Sequence, residues 1–93
     1  MKPRFEWDKE KNQKLKAERK ISFEQVVSLI ENENVIAIAH GRGRYAHQKQ
    51  FIVELNGYAY VVPFVESVEF VFLKTIIPSR KLTKKYLLKG GSS

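Results

Sequence analysis

The chain has 93 residues, of which 43% are hydrophobic and 29% charged, and it carries a net charge of +7 and no cysteine. This length suits one domain with one modest core, and the lack of cysteine excludes disulfides, thiolate zinc sites and a cysteine nucleophile. Because no apolar run approaches the ~18 residues of a membrane span and the charged N-terminus lacks the apolar segment of a signal peptide, we expect a cytoplasmic protein without membrane contact.

Positive charge is concentrated at the two ends of the chain. Residues 2–20 carry eight Lys or Arg against four Asp or Glu, residues 21–73 carry three against six, and residues 74–93 carry six against none. If the two ends fold together, they form a positive face that suits a polyphosphate or an acidic protein. The alternative is that these lysine-rich segments are only solvated surface.

The N-terminal third predicts a short strand and two helices. Residues 5–7 form the candidate strand, and Asp8 is a suitable N-cap for a mostly polar helix that runs to about Arg19. Ser22 and Gln25 have the spacing of a capping box, which starts a second helix. The apolar residues of this second helix recur at i, i+3, i+4 and i+7, which predicts burial against a sheet; they are Phe23, Val26, Val27 and Ile30.

The middle of the chain predicts antiparallel strands. Residues 35–39 form a short apolar strand, and residues 50–55 alternate between polar and apolar. The Asn-Gly pair at 56–57 is a strong two-residue hairpin turn because both residue types tolerate positive φ. Residues 58–64 then return as the partner strand, which we expect to end at Pro63.

The segment 70–77 reads as a central strand that is buried on both faces. Pro78 ends this strand, and Ser79 is placed to cap a short helix that begins near Arg80. One side of the predicted strand carries Phe70, Phe72 and Ile76, and the other side carries Val71, Leu73 and Ile77. The sequence therefore predicts one α+β domain: two N-terminal helices, a four-stranded antiparallel meander, a short basic C-terminal helix and a loose tail at 90–93.

Several kinds of catalytic site are disfavoured by the residues present. Asp8 is the only aspartate and the glutamates are scattered, so neither a carboxylate-bound metal site nor a Ser-His-Asp triad is supported. The glycines at 41 and 43 do not form a phosphate loop. We therefore expect neither a metal nor a cofactor.

The remaining residue types suit RNA cleavage without a metal, in which the RNA's own 2′-hydroxyl is the nucleophile and the protein stabilises charge and moves protons. Lys74 and Arg80 are the candidates for neutralising the phosphate, and His40, His47 and Tyr86 are the candidates for proton transfer. Additional RNA contacts are expected from Arg42, Arg44, Lys81, Lys84 and Lys85. Each of the five candidates for catalysis has a structural alternative. Lys74 can lie along a strand edge, Arg80 can serve only as a cap or in a surface ion pair, Tyr86 can simply pack, and both histidines can be solvated.

Three motifs together give the chain a resemblance to a known family. FEWDKEKN at 5–12, ISFEQVV at 21–27 and IIPSRKLTKKY at 76–86 resemble the BrnT-type toxins of bacterial type II toxin–antitoxin systems. The resemblance implies a RelE-like α+β fold and a ribonuclease that stops translation. It also implies a cognate DNA-binding antitoxin, encoded by an adjacent gene, that holds the toxin inactive and through which oligomers can form. Arg80 corresponds to the arginine that follows the last strand in that family, and the N-terminal pattern is matched by Phe5, Trp7, Asp8, Asn12, Ser22, Phe23 and Glu24.

The chain departs from this family at residues 18–20, which read Glu-Arg-Lys where Lys-His-Gly is usual. A histidine is therefore missing in front of the Ser-Phe-Glu motif. This departure keeps an alternative open, in which the same fold binds RNA or an acidic protein without cleaving it.

Overall fold

The computed structural model describes residues 4–41, 43 and 48–88 of the chain. This part folds as an α+β domain with three α-helices and a mixed sheet. Its elements in chain order are β1 (Arg4–Trp7), α1 (Lys9–Arg19), α2 (Phe23–Glu31), β2 (Ala37–His40), β3 (Lys49–Leu55), β4 (Tyr58–Glu66), β5 (Phe70–Leu73), β6 (Ile77–Pro78), α3 (Arg80–Thr83) and a π-helical turn (Lys84–Leu88). The sheet order is β1-β5-β4-β3-β2, and β6 pairs with β4.

The two N-terminal helices begin at the predicted caps. The Asp8 carboxylate accepts the backbone N–H of Lys11 at 3.1 Å, which satisfies one of the free N–H groups in the first turn of α1. Ser22 and Gln25 form the predicted capping box, in which each side chain accepts a backbone N–H of the other residue. Both caps are therefore confirmed.

The main core lies between α2 and one face of the sheet. Phe23 and Val26 are fully buried, and Val27 and Ile30 are half-buried and pack against the same core, which confirms the predicted apolar stripe. The rings of Trp7 and Phe23 stack with their centres 5.8 Å apart and so join the end of β1 to α2. The buried residues of this core are Ile21, Phe23, Val26, Phe51, Val53, Leu55, Tyr60, Val62, Phe64, Val71, Leu73 and Ile76.

The hairpin between β3 and β4 has the predicted two-residue turn. Asn56 and Gly57 have φ values of 57° and 80°, and Leu55 pairs with Tyr58 across the turn. Positive φ at both central positions matches the right-handed twist of the strands. β4 does not end at Pro63 as predicted, because its pairing with β3 and β5 continues to Phe64 and beyond.

The predicted four-stranded antiparallel meander accounts for only part of the sheet. β1 runs parallel to β5 at one edge of the sheet, with Phe5 beside Val71 and Trp7 beside Leu73. The chain between β1 and β5 contains two helices and three strands, which provides the long connection that a parallel pair requires. The sheet is therefore mixed, because the parallel β1–β5 pair joins the antiparallel pairs of β2, β3, β4 and β5.

The predicted strand 70–77 is interrupted by a bulge. Leu73 pairs with Phe64 and Ile77 pairs with Val61, so three residues, 74–76, lie opposite two, 62–63. One extra residue reverses the side to which the following side chains point. Ile76 consequently lies in the core with Val71 and Leu73, and its predicted place beside Phe70 and Phe72 is wrong.

The opposite face of the sheet is covered only in part. We call it the C-terminal face because the C-terminal helix α3 packs on it. Its residues alternate with the core residues along β3, β4 and β5. They include Gln50, Ile52, Ala59, Val61, Pro63, Val65, Phe70 and Phe72. α3 packs on β4, where the Thr83 hydroxyl accepts the backbone N–H of Ala59 at 2.8 Å. Within the described ranges, no helix is long and apolar enough to cross a membrane.

Candidate functional site

Lys74 lies at the bulge between β5 and β6. Its backbone N–H donates to the carbonyl oxygen of Pro63 at 2.8 Å, and its side chain is exposed. Bulges are common beside functional sites because they redirect a side chain away from the regular alternation of the strand. Lys74 lines an open cleft of about 380 Å³, together with Gln48, Lys49, Pro63, Phe64, Val65 and Glu66.

The two basic ends of the chain meet at Lys74. The ammonium group of Lys11 in α1 donates to the carbonyl oxygen of Lys74 at 3.2 Å. This contact follows from the parallel pairing of β1 and β5, which places Trp7 beside Leu73 and hence the start of α1 beside the end of β5. Lys11 was not among the predicted site residues, although the excess of positive charge in residues 2–20 indicated its segment.

The C-terminal helix carries a second group of cations. Ser79 caps α3 as predicted, since its hydroxyl accepts the backbone N–H of Leu82 at 3.1 Å. The exposed cations that follow are Arg80, Lys81, Lys84 and Lys85. Among the residues that the structure describes, the ion pairs are Arg4–Glu6, Lys16–Glu24 and Lys49–Glu66, so none of the C-terminal cations is neutralised by one.

Lys74 and Arg80 do not lie at the same point of the sheet. The backbone N–H of Lys74 bonds to Pro63, whereas that of Ser79, the residue before Arg80, bonds to the carbonyl of Ala59. Because strands rise about 3.3 Å per residue, these two points on β4 are about 13 Å apart. The two residues therefore start from separate points along β4.

The predicted proton-transfer groups are spread over the domain. His40 is exposed at the end of β2, a strand that β3 and β4 separate from β5, and it pairs with Lys49. Tyr86 is half-buried in the π-helical turn, and the ammonium group of Lys85 lies 5.2 Å from the centre of its ring. Arg42, Arg44 and His47 lie outside the described residues.

An ion pair lies between the cleft and His40. Lys49 and Glu66 are 2.9 Å apart, and both line a second, more apolar groove that also includes His40 and Ile38. The pair follows from the β3–β4 register, in which Lys49 is opposite Phe64 and diagonal to Glu66. No local sequence pattern indicates a role for Lys49, because its partner is seventeen residues away.

A polar lock joins α1 to α2, and its residues belong to the motifs that carry the family resemblance. Asn12 is buried, donates to the carboxylate of Glu24 at 2.9 Å and accepts the N–H of Phe23 at 2.8 Å. The hydrogen bond from Asn12 is the main reason that the pKa of Glu24 lies below its ordinary value, and Lys16, 3.6 Å away, lowers that pKa further. These motif residues therefore have an architectural role.

Comparison of the chain with models of protein families, with curated proteins and with solved structures finds no match. In the described part of the chain, no group of three or more His, Asp or Glu side chains is close enough together to hold a metal ion. The features that bear on function are therefore the exposed cations, the cleft beside Lys74 and the partly open C-terminal face.

Proposed function

We propose that the protein is the toxin of a type II toxin–antitoxin system, with a RelE-like fold of the BrnT type, and that it acts in the cytoplasm as a metal-independent endoribonuclease that inhibits translation. The observation that carries the proposal is a row of exposed cations, none of them held in an ion pair within the described residues, which begins at Lys74 beside a cleft of about 380 Å³ and continues through α3. Cations without local anions favour binding of a polyanion.

The chemistry requires few protein groups. The 2′-hydroxyl of the RNA loses its proton and attacks the neighbouring phosphorus, the bond to the 5′-oxygen breaks, and that oxygen takes up a proton, which leaves a 2′,3′-cyclic phosphate and a 5′-hydroxyl. Arg80 is the best candidate to neutralise the phosphorane, because its planar guanidinium holds two oxygens at once and keeps its charge. In this proposal Lys74 supplies a second positive charge, and His40, His47 or Tyr86 moves the protons.

A cognate antitoxin is part of the same proposal. We expect a DNA-binding protein encoded by an adjacent gene to occlude the basic surface of α1 and α3 with an acidic or amphipathic segment, because complementary charge is the simplest way to block such a site. Any oligomer would then form through this antitoxin. A complex in which the antitoxin contacts only the hairpin turn at Asn56 and Gly57 would contradict this arrangement.

Induced expression in bacteria, with growth and RNA integrity followed over time, tests the nuclease. We expect Arg80→Ala to abolish growth arrest and RNA cleavage while the protein stays folded. Lys74→Ala should weaken both by about 10- to 100-fold, as expected for one transition-state contact. Arg19→Ala, which removes an exposed arginine at the end of α1, is the matched control and should leave both unchanged. Full toxicity of a well-folded Arg80→Ala protein would contradict the proposed site.

A second candidate is a non-catalytic RNA-binding protein of the same fold. The separation of about 13 Å between the backbone positions of Lys74 and Arg80, estimated from the rise of β4, favours it, since groups that act on one phosphate must converge. This candidate predicts that purified protein binds RNA and leaves it intact, whereas the toxin yields fragments that end in a 2′,3′-cyclic phosphate.

A further inference from the structure

Two phenylalanines of β5 remain outside the core. Phe70 and Phe72 are alternate residues on the C-terminal face, and both are partly exposed. Among the described hydrophobic residues, the ones that form the main core or pack against it do not include either of them. Val65, which pairs with Phe72 across β4 and β5, is 50% exposed. The face therefore has a partly exposed apolar patch that lies outside the main core.

The patch is open because the C-terminal helix covers the other half of the face. α3 and the π-helical turn pack on β4. Beneath them, Ile52 and Ala59 are buried at 4% and 0% exposure, although neither belongs to the main core. The same sheet face is thus closed over β3 and the start of β4, and open over β5 and the end of β4.

Polar and cationic groups surround the open patch. The cleft of about 380 Å³ lies beside it and is lined by the amide of Gln48 and by Lys74. On the other side of the patch, Arg4 pairs with Phe70 and Glu6 pairs with Phe72 in the β1–β5 register. The side chains of Arg4 and Glu6 neutralise each other in an ion pair at 2.8 Å, so the cations available to a ligand are those of Lys74 and the C-terminal helix. Arg80, Lys81, Lys84 and Lys85 follow on the helix that covers the rest of this face. Aromatic rings with cations beside them are the combination that holds bases and phosphates of single strands.

We propose that the open half of the C-terminal face binds unpaired RNA bases, which stack on Phe70 and Phe72 while Lys74 and the α3 cations hold the backbone. This inference rests on the proposed RNA substrate and narrows it to single-stranded RNA. In a duplex both faces of each base are covered by its neighbours, so a ring on a sheet surface reaches only unpaired bases. An acidic protein would also satisfy the cations but would gain nothing from stacking.

Binding to a labelled single-stranded RNA of about ten nucleotides, within the range of known single-strand sites, tests the inference by fluorescence anisotropy. The RNA is 2′-O-methylated so that it cannot be cleaved through its own 2′-hydroxyl. Phe70→Ala and Phe72→Ala should each weaken binding about 5- to 150-fold, which corresponds to the usual effect of losing one stacked base. Phe72→Tyr should retain affinity, because a phenol ring also stacks.

Ile38→Ala is the matched control, since Ile38 is an exposed apolar residue, at 54%, on the other face of the sheet. It should not change the affinity. An oligomer of the same length with abasic sugars should bind more weakly to the native protein and equally to the native and Phe→Ala proteins. Thermal melts of every variant establish that it is folded.

The outcomes separate the inference from the proposed nuclease. If native protein binds the RNA in a Phe70- and Phe72-dependent way but cuts no unmodified RNA, the base-binding surface stands and the nuclease is wrong. If folded Phe→Ala variants bind RNA as tightly as the native protein, or if the abasic oligomer binds equally well, the inference is wrong even when cleavage occurs. Loss of antitoxin binding alone in the Phe→Ala variants would make the patch a protein interface and would also overturn it.

Discussion

The side-chain oxygen of Asn12 accepts the backbone N–H of Phe23 at 2.8 Å, and Asn12 is only 4% exposed. Phe23 is the first residue of α2, where backbone N–H groups lack a partner within the helix. The amide group of Asn12 also donates to Glu24 at 2.9 Å. One side chain from α1 thus provides a hydrogen-bond acceptor for a free backbone N–H at the start of α2 and links the two helices.

Asn12→Ala should destabilise the protein by about 1–3 kcal/mol, because it leaves the buried N–H of Phe23 without a partner. Urea denaturation measures the change. Asn34→Ala, at an exposed position after α2, should stay within about 0.5 kcal/mol of the native protein. If Asn12→Ala lowers the free energy of unfolding no more than this control does, the hydrogen bonds of Asn12 contribute nothing to stability.

Phe23→Ala should cost about 3–5 kcal/mol, because Phe23 is fully buried and its removal leaves a cavity between α2 and the sheet. The loss of the stacked Trp7 ring contact adds to the effect. Thermal melts with Val68→Ala as the control, at a fully exposed position, measure the difference. A loss below about 1 kcal/mol, typical of surface changes, would contradict burial of the stripe.

The lowered pKa of Glu24 predicts a pH dependence of stability. A carboxylate whose pKa is below its ordinary value of 4.5 stabilises the folded state above that value, and this contribution is lost as the pH falls through the folded-state pKa. Native protein should therefore melt at a higher temperature than Glu24→Gln near neutral pH, and the two should converge in acid. The difference should be small, because the side chain of Glu24 is 54% exposed and its ion pair with Lys16 is screened by solvent.

The Asn12→Ala background is the control for this measurement. The hydrogen bond from Asn12 is the largest cause of the lowered pKa. The effect of Glu24→Gln at neutral pH should therefore shrink when Asn12 is absent. An undiminished effect would assign the stabilisation to Lys16 instead.

The sequence predicts the local features of the fold because each depends on residues a few positions apart. Asp8 and Ser22 as caps, the stripe that begins at Phe23 and the turn at 56–57 are all of this kind. The parallel pairing of β1 with β5 depends on residues about 66 positions apart, as in Arg4 with Phe70. No local pattern of residues encodes it.

The bulge at Lys74 is the clearest example of what the sequence leaves open. An apolar run is compatible with either face, so the run 70–77 does not reveal that one residue is extra relative to β4. Because of that residue, Ile76 points to the core, whereas Phe70 and Phe72, which precede the bulge, lie on the open face. The excess of positive charge in residues 74–93 is evident from the sequence. The division of these cations into a group at Lys74 and a group at Arg80 depends on where β6 pairs with β4.

Because the cations form one group at Lys74 and another at Arg80, double variants can distinguish two arrangements. On a binding surface each residue contacts its own phosphate, whereas in a catalytic cluster both residues act on the same phosphate. Sites more than about 7–10 Å apart without shared partners contribute independently, so the free-energy losses of Lys74→Ala and Arg80→Ala in RNA binding should add within about 0.5 kcal/mol in the double variant. Each single change should also lower the slope of log affinity against log salt by about 0.7, the value for one phosphate contact on a single strand, and the double change by about twice that amount.

Anisotropy titrations at several salt concentrations give both quantities, and Arg19→Ala controls for the removal of one exposed positive charge. The two single variants and the double variant, assayed for RNA cleavage, complete the comparison. Residues that act on one phosphorane behave as a unit, so the double variant would then be no slower than the worse single variant. Additive binding with non-additive cleavage would mean that Lys74 and Arg80 converge on one phosphate during catalysis, despite the distance between their positions on β4. Non-additive binding would contradict the assignment of the two residues to separate phosphates.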